Sequence, residues 1–353
     1  MRTIYLIRHG HPDFPVGAHM CLGRTDTPLG PLGRMQSALL GEEMEGAGLT
    51  AVFSSPLTRC RETAAPLGLA PTLVPALAEQ DMGPWDGLDF DAIRAGWPAL
   101  YARRGAEPLL VPPGAETLAG VQARVMPALE RCLADSEGDI AVVAHASVTQ
   151  AILAAVCGIP LAESRPLRPP YTGCARILYD GAYHLQARGL LPQRPLTPEL
   201  AEKLLAAAAP GERVERHCRA VARETLRITD ALPLPLDREL LYCAALLHDI
   251  ARSQKDHARL GGRWLRELGY ERAASLVEQH HDLAGEAIDE AAILYLADKC
   301  VQEDRQVPLK LRFAGSENKC RTEEARSAHA ARLAQALRLR EEINRVGGRR
   351  LVE

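Results

Sequence analysis

The residues that could carry phosphate chemistry stand at the ends of apolar runs. Leu6-Ile7-Arg8-His9-Gly10 places an arginine–histidine pair directly after the β-type run RTIYLI (2–7). A second run, AVFSS (51–55), leads through Pro56-Leu57-Thr58 to Arg59, and a third, IAVVAH (140–145), ends in His145. In open α/β sheets, ligands bind at the carboxyl ends of the strands. If these three ends converge, they supply two guanidinium forks that match phosphate oxygens. They also supply an imidazole that, unprotonated, can attack phosphorus. A second set lies further along, where five of the eleven histidines fall between positions 217 and 281. His217 sits at helical spacing from Val214 and Val221, His248-Asp249 follows the apolar run YCAALL, and His257 comes eight residues after Asp249. His280-His281 follow SLVEQ, and Asp298 lies in AAILYLADKC. An aspartate in so apolar a helix is costly to bury unless paired or coordinated. Imidazoles and carboxylates on converging helices suit a divalent metal, Fe, Mn, Zn or Ni, as one or two ions.

The elements that must position these groups differ between the two halves. Up to about residue 190, β-type runs (2–7, 51–55, 140–145, 175–180, with 183–189 as an edge) alternate with helical patterns such as 34–47 and 117–134. That alternation predicts an α/β layered domain around a largely parallel sheet. GLLPQRPLTP (189–198) has the prolines and glycine of a linker. Beyond it almost nothing reads as strand. Helical patterns run through 198–208, 213–230, 237–251, 256–268, 271–281, 287–304 and 321–345, which predicts an all-α domain. The expected division is 1–192 and 193–353.

Composition narrows the partners. A chain of 353 residues with 47% hydrophobic and 25% charged side chains is expected to fold as ordinary globular domains, and its length suits two. Net charge is −3, from 42 basic and 45 acidic groups, which argues against nucleic acid or an anionic membrane as partner. The longest apolar run, 151–162, is broken by Gly158 and Pro160 and is too short to span a bilayer. No secretory leader is visible, and the nine cysteines form no CxxC pair, so reduced thiols and a cytoplasmic location are expected. Nothing in the pattern names an oligomeric partner.

The first half resembles the histidine phosphatase superfamily, with its phosphoglycerate-mutase-like fold. The resemblance rests on RHG, GRTDTPLGPLGR (23–34), SSPLTRCRETA (54–64), Glu79 before MGPWDGL (82–88), PPGAET (112–117) and VAHASV (143–148), in that order over residues 1–190. It implies that His9 becomes phosphohistidine in a pocket of Arg8, Arg59 and His145. Glu79 would protonate the leaving oxygen and then activate water. It implies no metal or other cofactor in this domain. Two positions depart from the pattern: His11 follows RHG where an acidic or amide residue is usual, and Ala146 stands after His145 where glycine is usual. Mutases of the fold usually carry longer insertions, so hydrolysis of a small phosphorylated metabolite is expected, with a phosphoglycerate mutase as the alternative. CLGRTDTPL (21–29) is similar to α-ribazole phosphatases and points to a nucleoside-like or sugar monophosphate.

The second half resembles the HD-domain phosphohydrolases over roughly 210–310. ILYLADKCVQEDR (293–305) is similar to members that cleave dinucleoside polyphosphates. The resemblance implies that His217, His248 and Asp298 hold one ion, His257, His280 and His281 a second, and that Asp249 bridges them. Two such ions can hold a phosphate oxygen and activate water. A nucleotide or polyphosphate is the expected substrate, and a non-catalytic regulatory or ligand-binding module is the alternative. The fusion suggests sequential action, the HD site cleaving first and the phosphatase removing a terminal phosphate from the product. His19 and His329 read as surface residues, and Lys310, Arg312 and Lys319 as ordinary surface charge, with attraction of an anionic substrate as the alternative.

Overall fold

Alternate residues of the strand Arg2–Arg8 feed two different cores. Ile4 and Leu6 pack with Val142, Val121, Val125, Leu129 and Ile152, while Ile7 packs on the other face with Val52, Val143, Leu40 and Cys60. Side chains two apart share a sheet face, and a sheet covered on both faces needs near-continuous apolar strands. That is why RTIYLI, AVFSS and IAVVAH lack polar alternation. The computed structural model, which describes residues 1–318 and 320–353, forms two compact units, Met1–Arg194 and Pro195–Glu353.

The first unit is a six-stranded sheet in the order Thr72–Leu73, Leu49–Ser54, Asp139–Ala144, Arg2–Arg8, Cys174–Tyr179, Tyr183–Leu190. The first four strands are parallel, and the last two form an antiparallel extension. Helices Leu118–Ala134 and Ala146–Cys157 cover one face, and Pro31–Met44 and Thr58–Ala64 the other. Register sets the site: Arg8 lies opposite Ala144, and Ser54 opposite Val143. The ladder continues one step past the strands, with His9 N–H donating to Ala144 and Ser55 N–H to Val143, both at 3.0 Å. The carboxyl ends of three parallel strands therefore stop level with one another. Residues 90–106, which the sequence pattern assigns to no element, form the short helices Phe90–Gly96 and Pro98–Ala106, next to a cluster of Trp85, Trp97 and Tyr101.

The second unit consists of eight helices among the described residues: Pro198–Ala208, Glu212–Thr229, Arg238–Leu247, His257–Glu267, Glu271–Gln279, Glu290–Lys299, Leu309–Glu317 and Glu323–Val346. Thr197, Asp237, Asp289 and Thr322 cap four of them by accepting a backbone N–H from inside the first turn. Three helices end earlier than their apolar periodicity suggests. The expected 237–251 segment stops at Leu247, the 271–281 segment at Gln279 and the 287–304 segment at Lys299. After Lys299, Val301–Gln302 pairs antiparallel with Arg305–Gln306, and Glu303 takes φ +58° in the turn, so this half is not wholly without strand. His329 is half-buried rather than exposed, its Nε2 2.9 Å from Ser316 Oγ and its ring against Phe313. All nine cysteines are free, and among the described residues no helix is long and apolar enough to cross a membrane.

Candidate active site and candidate metal centre

His9 leaves its strand into Gly10, where a Cβ would lie 2.7 Å from the Gly33 carbonyl oxygen, and a Cβ on Gly33 would meet His11. The two glycines allow the chain to turn tightly behind the imidazole. The His9 ring is buried, and its Nδ1–H donates to the Gly10 carbonyl at 2.7 Å. A carbonyl can only accept, so Nδ1 carries the proton and Nε2 is left as the nucleophilic nitrogen. His145 faces it at 5.1 Å between ring centroids, with Nε2 2.8 Å from Ser55 Oγ. Arg59 is fully buried; it donates to Gly23 O at 2.7 Å and Thr25 O at 2.8 Å. Arg8 donates to Pro169 O at 2.8 Å and lies 3.9 Å over the Tyr171 ring. The Nε atoms of both arginines are buried without a hydrogen-bond partner. Two orphaned cationic donors beside two imidazoles fit a bound oxyanion.

Glu79 is buried, and its carboxylate accepts from Gln80 N–H at 2.8 Å and from Ser147 N–H at 3.3 Å. Ser147 lies in the first turn of helix Ala146–Cys157, where backbone N–H groups lack partners within the helix. The loop holding Arg59 is itself held by Asp86, which accepts from the N–H groups of Gly23, Arg24 and Thr25. Burial pushes the His9 imidazole well below its ordinary value, and Arg8 and Arg59 push it further. The same causes act on His145, burial first, then His9 and the arginines. Burial also lowers the Arg8 guanidinium, with Tyr171 and Glu79 opposing and Arg168 adding to the effect.

These depressed imidazoles have a pH consequence. Unfolded histidine takes a proton near pH 6.5, whereas His9 and His145 stay neutral in the fold. The unfolded state therefore binds more protons below pH 6.5, and stability falls as pH drops through that value. His9→Gln should flatten the dependence by about 1.4 kcal/mol per pH unit between pH 6 and 5. Denaturant unfolding of the wild type and the variant at a series of pH values measures it; parallel curves would contradict it.

The structure thus gathers Arg8, His9, Arg59, Glu79 and His145. Sequence reading gave no role to Ser55, Tyr171 or Asp86. Ser55 directly follows a strand end, which was the available signal; Tyr171 and Asp86 reach the site only through the tertiary fold. His19 is exposed, with its backbone N–H bound to Asp89.

In the second unit the early helix ends let imidazoles converge on two aspartates. Asp249 divides its oxygens: Oδ2 lies 3.7 Å from His248 Nε2 and 4.0 Å from His217 Nε2, while Oδ1 lies 3.1 Å from His257 Nε2 and 3.6 Å from His280 Nε2. Asp298 Oδ1 lies 3.1 Å from His217 Nε2 and 3.6 Å from His248 Nε2. His281 Nε2 approaches His257 Nε2 at 2.8 Å. His217, His248 and His280 donate from Nδ1 to the carbonyls of Glu303, Ala245 and Val277 at 2.8, 2.7 and 2.6 Å, which turns each Nε2 inward. The Nε2 atoms of His248 and His280 are buried without a hydrogen-bond partner. Burial alone would raise the Asp298 carboxyl, but Lys299 and the imidazoles of His217 and His248 hold it well below the usual carboxylate range. Inward Nε2 atoms around two carboxylates fit divalent cations, which bind such imidazoles as their protons are released.

Sequence reading missed Lys299, whose Nζ is 2.8 Å from Asp298 Oδ2, and Arg252, 2.8 Å from His257 Nε2. Arg312 is not ordinary surface charge: with Arg213 and Arg252 it lines a cavity of about 400 Å³ that reaches His217 and Asp249. Lys310 is exposed, and Lys319 lies outside the described residues.

Comparison with known proteins agrees with both halves. The family model of the histidine phosphatase superfamily (branch 1) matches residues 4–187, and that of the HD domain matches residues 214–302. The chain is 30% identical over 175 residues to a glucosyl-3-phosphoglycerate phosphatase of Mycobacterium tuberculosis (strain ATCC 25618 / H37Rv), covering 46% of this chain and 78% of the relative. It is 29% identical over 188 residues to a protein of Enterobacter sp. (strain 638) named "Probable phosphoglycerate mutase GpmB", covering 51% of this chain and 86% of the relative. Among solved structures, one titled mycobacterial hydrolase 2 aligns with TM-score 0.51 at 26% identity, over 59% of this chain and 97% of that one. HD domains are generally metal-dependent, and the His/Asp cluster described above lies within the matched segment. The chain belongs to the histidine phosphatase superfamily and is a hydrolase of phosphate esters, with an HD domain following its phosphatase domain.

Proposed function

We propose that residues 1–192 hydrolyse small phosphomonoesters through a phosphohistidine at His9, without a metal. His9 Nε2 attacks phosphorus, and the bond from phosphorus to the leaving oxygen breaks. Glu79 gives that oxygen its proton. The resulting carboxylate then takes a proton from the water that attacks phosphohistidine, which releases inorganic phosphate and restores Nε2. Arg8, Arg59 and His145 neutralise charge on the transferring phosphoryl group. The observation that carries this reading is the His9 tautomer: Nδ1–H is fixed on Gly10 O in a ring kept neutral by burial between two arginines. The relatives' names favour a small phosphorylated metabolite as substrate, and the likeness of residues 21–29 to α-ribazole phosphatases favours a nucleoside-like or sugar monophosphate.

Residues 193–353 are assigned to a metal-dependent phosphohydrolase. His217, His248 and Asp298 would hold one ion, His257, His280 and His281 another, and Asp249 would offer one oxygen to each. Such ions polarise phosphate oxygens and make bound water acidic. Arg213, Arg252 and Arg312 would bind the charge of a nucleotide or polyphosphate at the same cavity. The test uses full-length protein with p-nitrophenyl phosphate and a nucleotide panel, before and after chelation, in wild type and Asp249→Asn. Chelator-resistant monoesterase with chelator-sensitive nucleotide cleavage is expected. Loss of both activities on chelation would overturn the division of labour.

A further inference from the structure

The turn 169–173, beside Arg8, holds a residue in a conformation that its type avoids. Thr172 is buried at φ +51°, in the left-handed region, where a β-branched side chain is an outlier. Such strain persists only where surrounding bonds over-determine it. Here they do: Thr172 N–H donates to His9 O at 3.2 Å, Arg8 N–H to Gly173 O at 3.1 Å, and Gly173 N–H to Pro170 O at 3.0 Å. Thr172 Oγ1 adds a bond to Tyr171 O at 2.8 Å. A Cβ on Gly173 would lie 2.8 Å from the Pro170 ring, so the turn is tight there as well. The backbone of the turn is thus tied to both Arg8 and His9.

Tyr171 stands in the middle of this turn, half-buried, with its ring 3.9 Å from the Arg8 guanidinium. Between centroids the ring also lies 5.6 Å from that of His9 and 5.0 Å from that of His11. Pro169 O, from the same turn, accepts from Arg8 Nη1 at 2.8 Å. One hydrogen bond at the edge of a planar guanidinium leaves it free to tilt about that bond. A ring on its face removes the tilt. Arg8 Nε is buried without a hydrogen-bond partner, and a donor fixed in place away from water is what stabilises charge in a transition state. We propose that Tyr171 is a positioning residue for phosphoryl transfer: its ring, set by the strained turn, fixes the plane of the Arg8 guanidinium against the transferring group. The proposal rests on the phosphomonoesterase reading above for the reaction it serves, and its test separates the two.

Full-length protein carrying Asp249→Asn, to silence the HD unit, is assayed with p-nitrophenyl phosphate and with orthovanadate, a mimic of the five-coordinate phosphoryl group. Tyr171→Leu should lower kcat/KM about tenfold, mainly through kcat, and weaken vanadate inhibition by a similar factor. Inhibition by inorganic phosphate, a ground-state ligand, should change by less than about threefold. Tyr171→Phe keeps the ring face and should stay within about twofold of the parent. An ammonium has no plane to fix, so in Arg8→Lys protein the same Tyr171→Leu change should cost less than about threefold. Calorimetry with orthovanadate reads that comparison where turnover is too slow. Tyr171→Met repeats the measurement if the leucine variant does not fold. A leucine variant as active as the parent, a phenylalanine variant as impaired as the leucine one, or an undiminished loss in Arg8→Lys protein overturns the positioning role. A parent that hydrolyses no monoester, while its vanadate affinity depends on Tyr171 only when Arg8 is present, supports the hold on Arg8 and overturns the phosphatase reading.

Discussion

His9→Ala should reduce phosphomonoester hydrolysis by the N-terminal unit on the order of 10⁴-fold or more. No neighbouring group can replace its Nε2. His145 lies 5.1 Å away between ring centroids and bonds Ser55 through its own Nε2, and both arginines are cations. The fold should survive, because the backbone ladder from His9 N–H to Ala144 O is independent of the side chain. Glu79→Gln should behave differently. Alkyl phosphates, whose leaving oxygen needs a proton, should slow about 10²- to 10⁴-fold, whereas p-nitrophenyl phosphate should slow far less because its leaving group departs as a stable anion. Initial rates on one alkyl and one aryl ester, measured in an Asp249→Asn background, check both statements. Equal losses for the two esters in Glu79→Gln would remove the carboxyl from the acid role.

Asp249→Asn should lower metal affinity by more than about 100-fold, beyond the effect of removing an outer-shell partner. Its two carboxylate oxygens each face two imidazoles, and an amide offers one neutral oxygen in their place. Elemental analysis of wild-type protein after supplementation should give close to two metals per chain, and the variant should give at most one. Thermal unfolding supplies a second readout. A ligand that binds only the native state stabilises it, so chelation should lower the melting temperature of the wild type and scarcely move that of the variant. A wild-type chain that takes up no metal would instead leave the HD unit as a metal-free binding module.

What the sequence made legible is local. Arg8 and His9 are neighbours at a strand end, and strands buried on both faces announce themselves as unbroken apolar runs. The HD motif likewise places a histidine and an aspartate side by side. What it left hidden depends on chain segments that meet only after folding. Asp86 is about sixty residues from the backbone it fixes, and Tyr171, stacked on the Arg8 guanidinium, comes from near the opposite end of the unit. Helix ends were misjudged for a related reason. The apolar periodicity of 237–251 and 287–304 continues because those residues stay buried, not because they stay helical: Ile250, Ala251 and Val301 are buried beyond the last helical turn. Lys299 escaped notice because an ammonium group at the end of an apolar helix reads as a cap, whereas here it bonds a site carboxylate and the His280 carbonyl.

The most direct test of the phosphatase account is rapid mixing of full-length protein with a phosphomonoester, alkaline quench and peptide mapping of the bound phosphoryl group. The account predicts up to one acid-labile phosphoryl group per chain, carried on the peptide containing His9 and absent from His9→Ala. A phosphoryl group on any other residue, or rapid turnover with no phosphoenzyme while His9→Ala remains active, would contradict it.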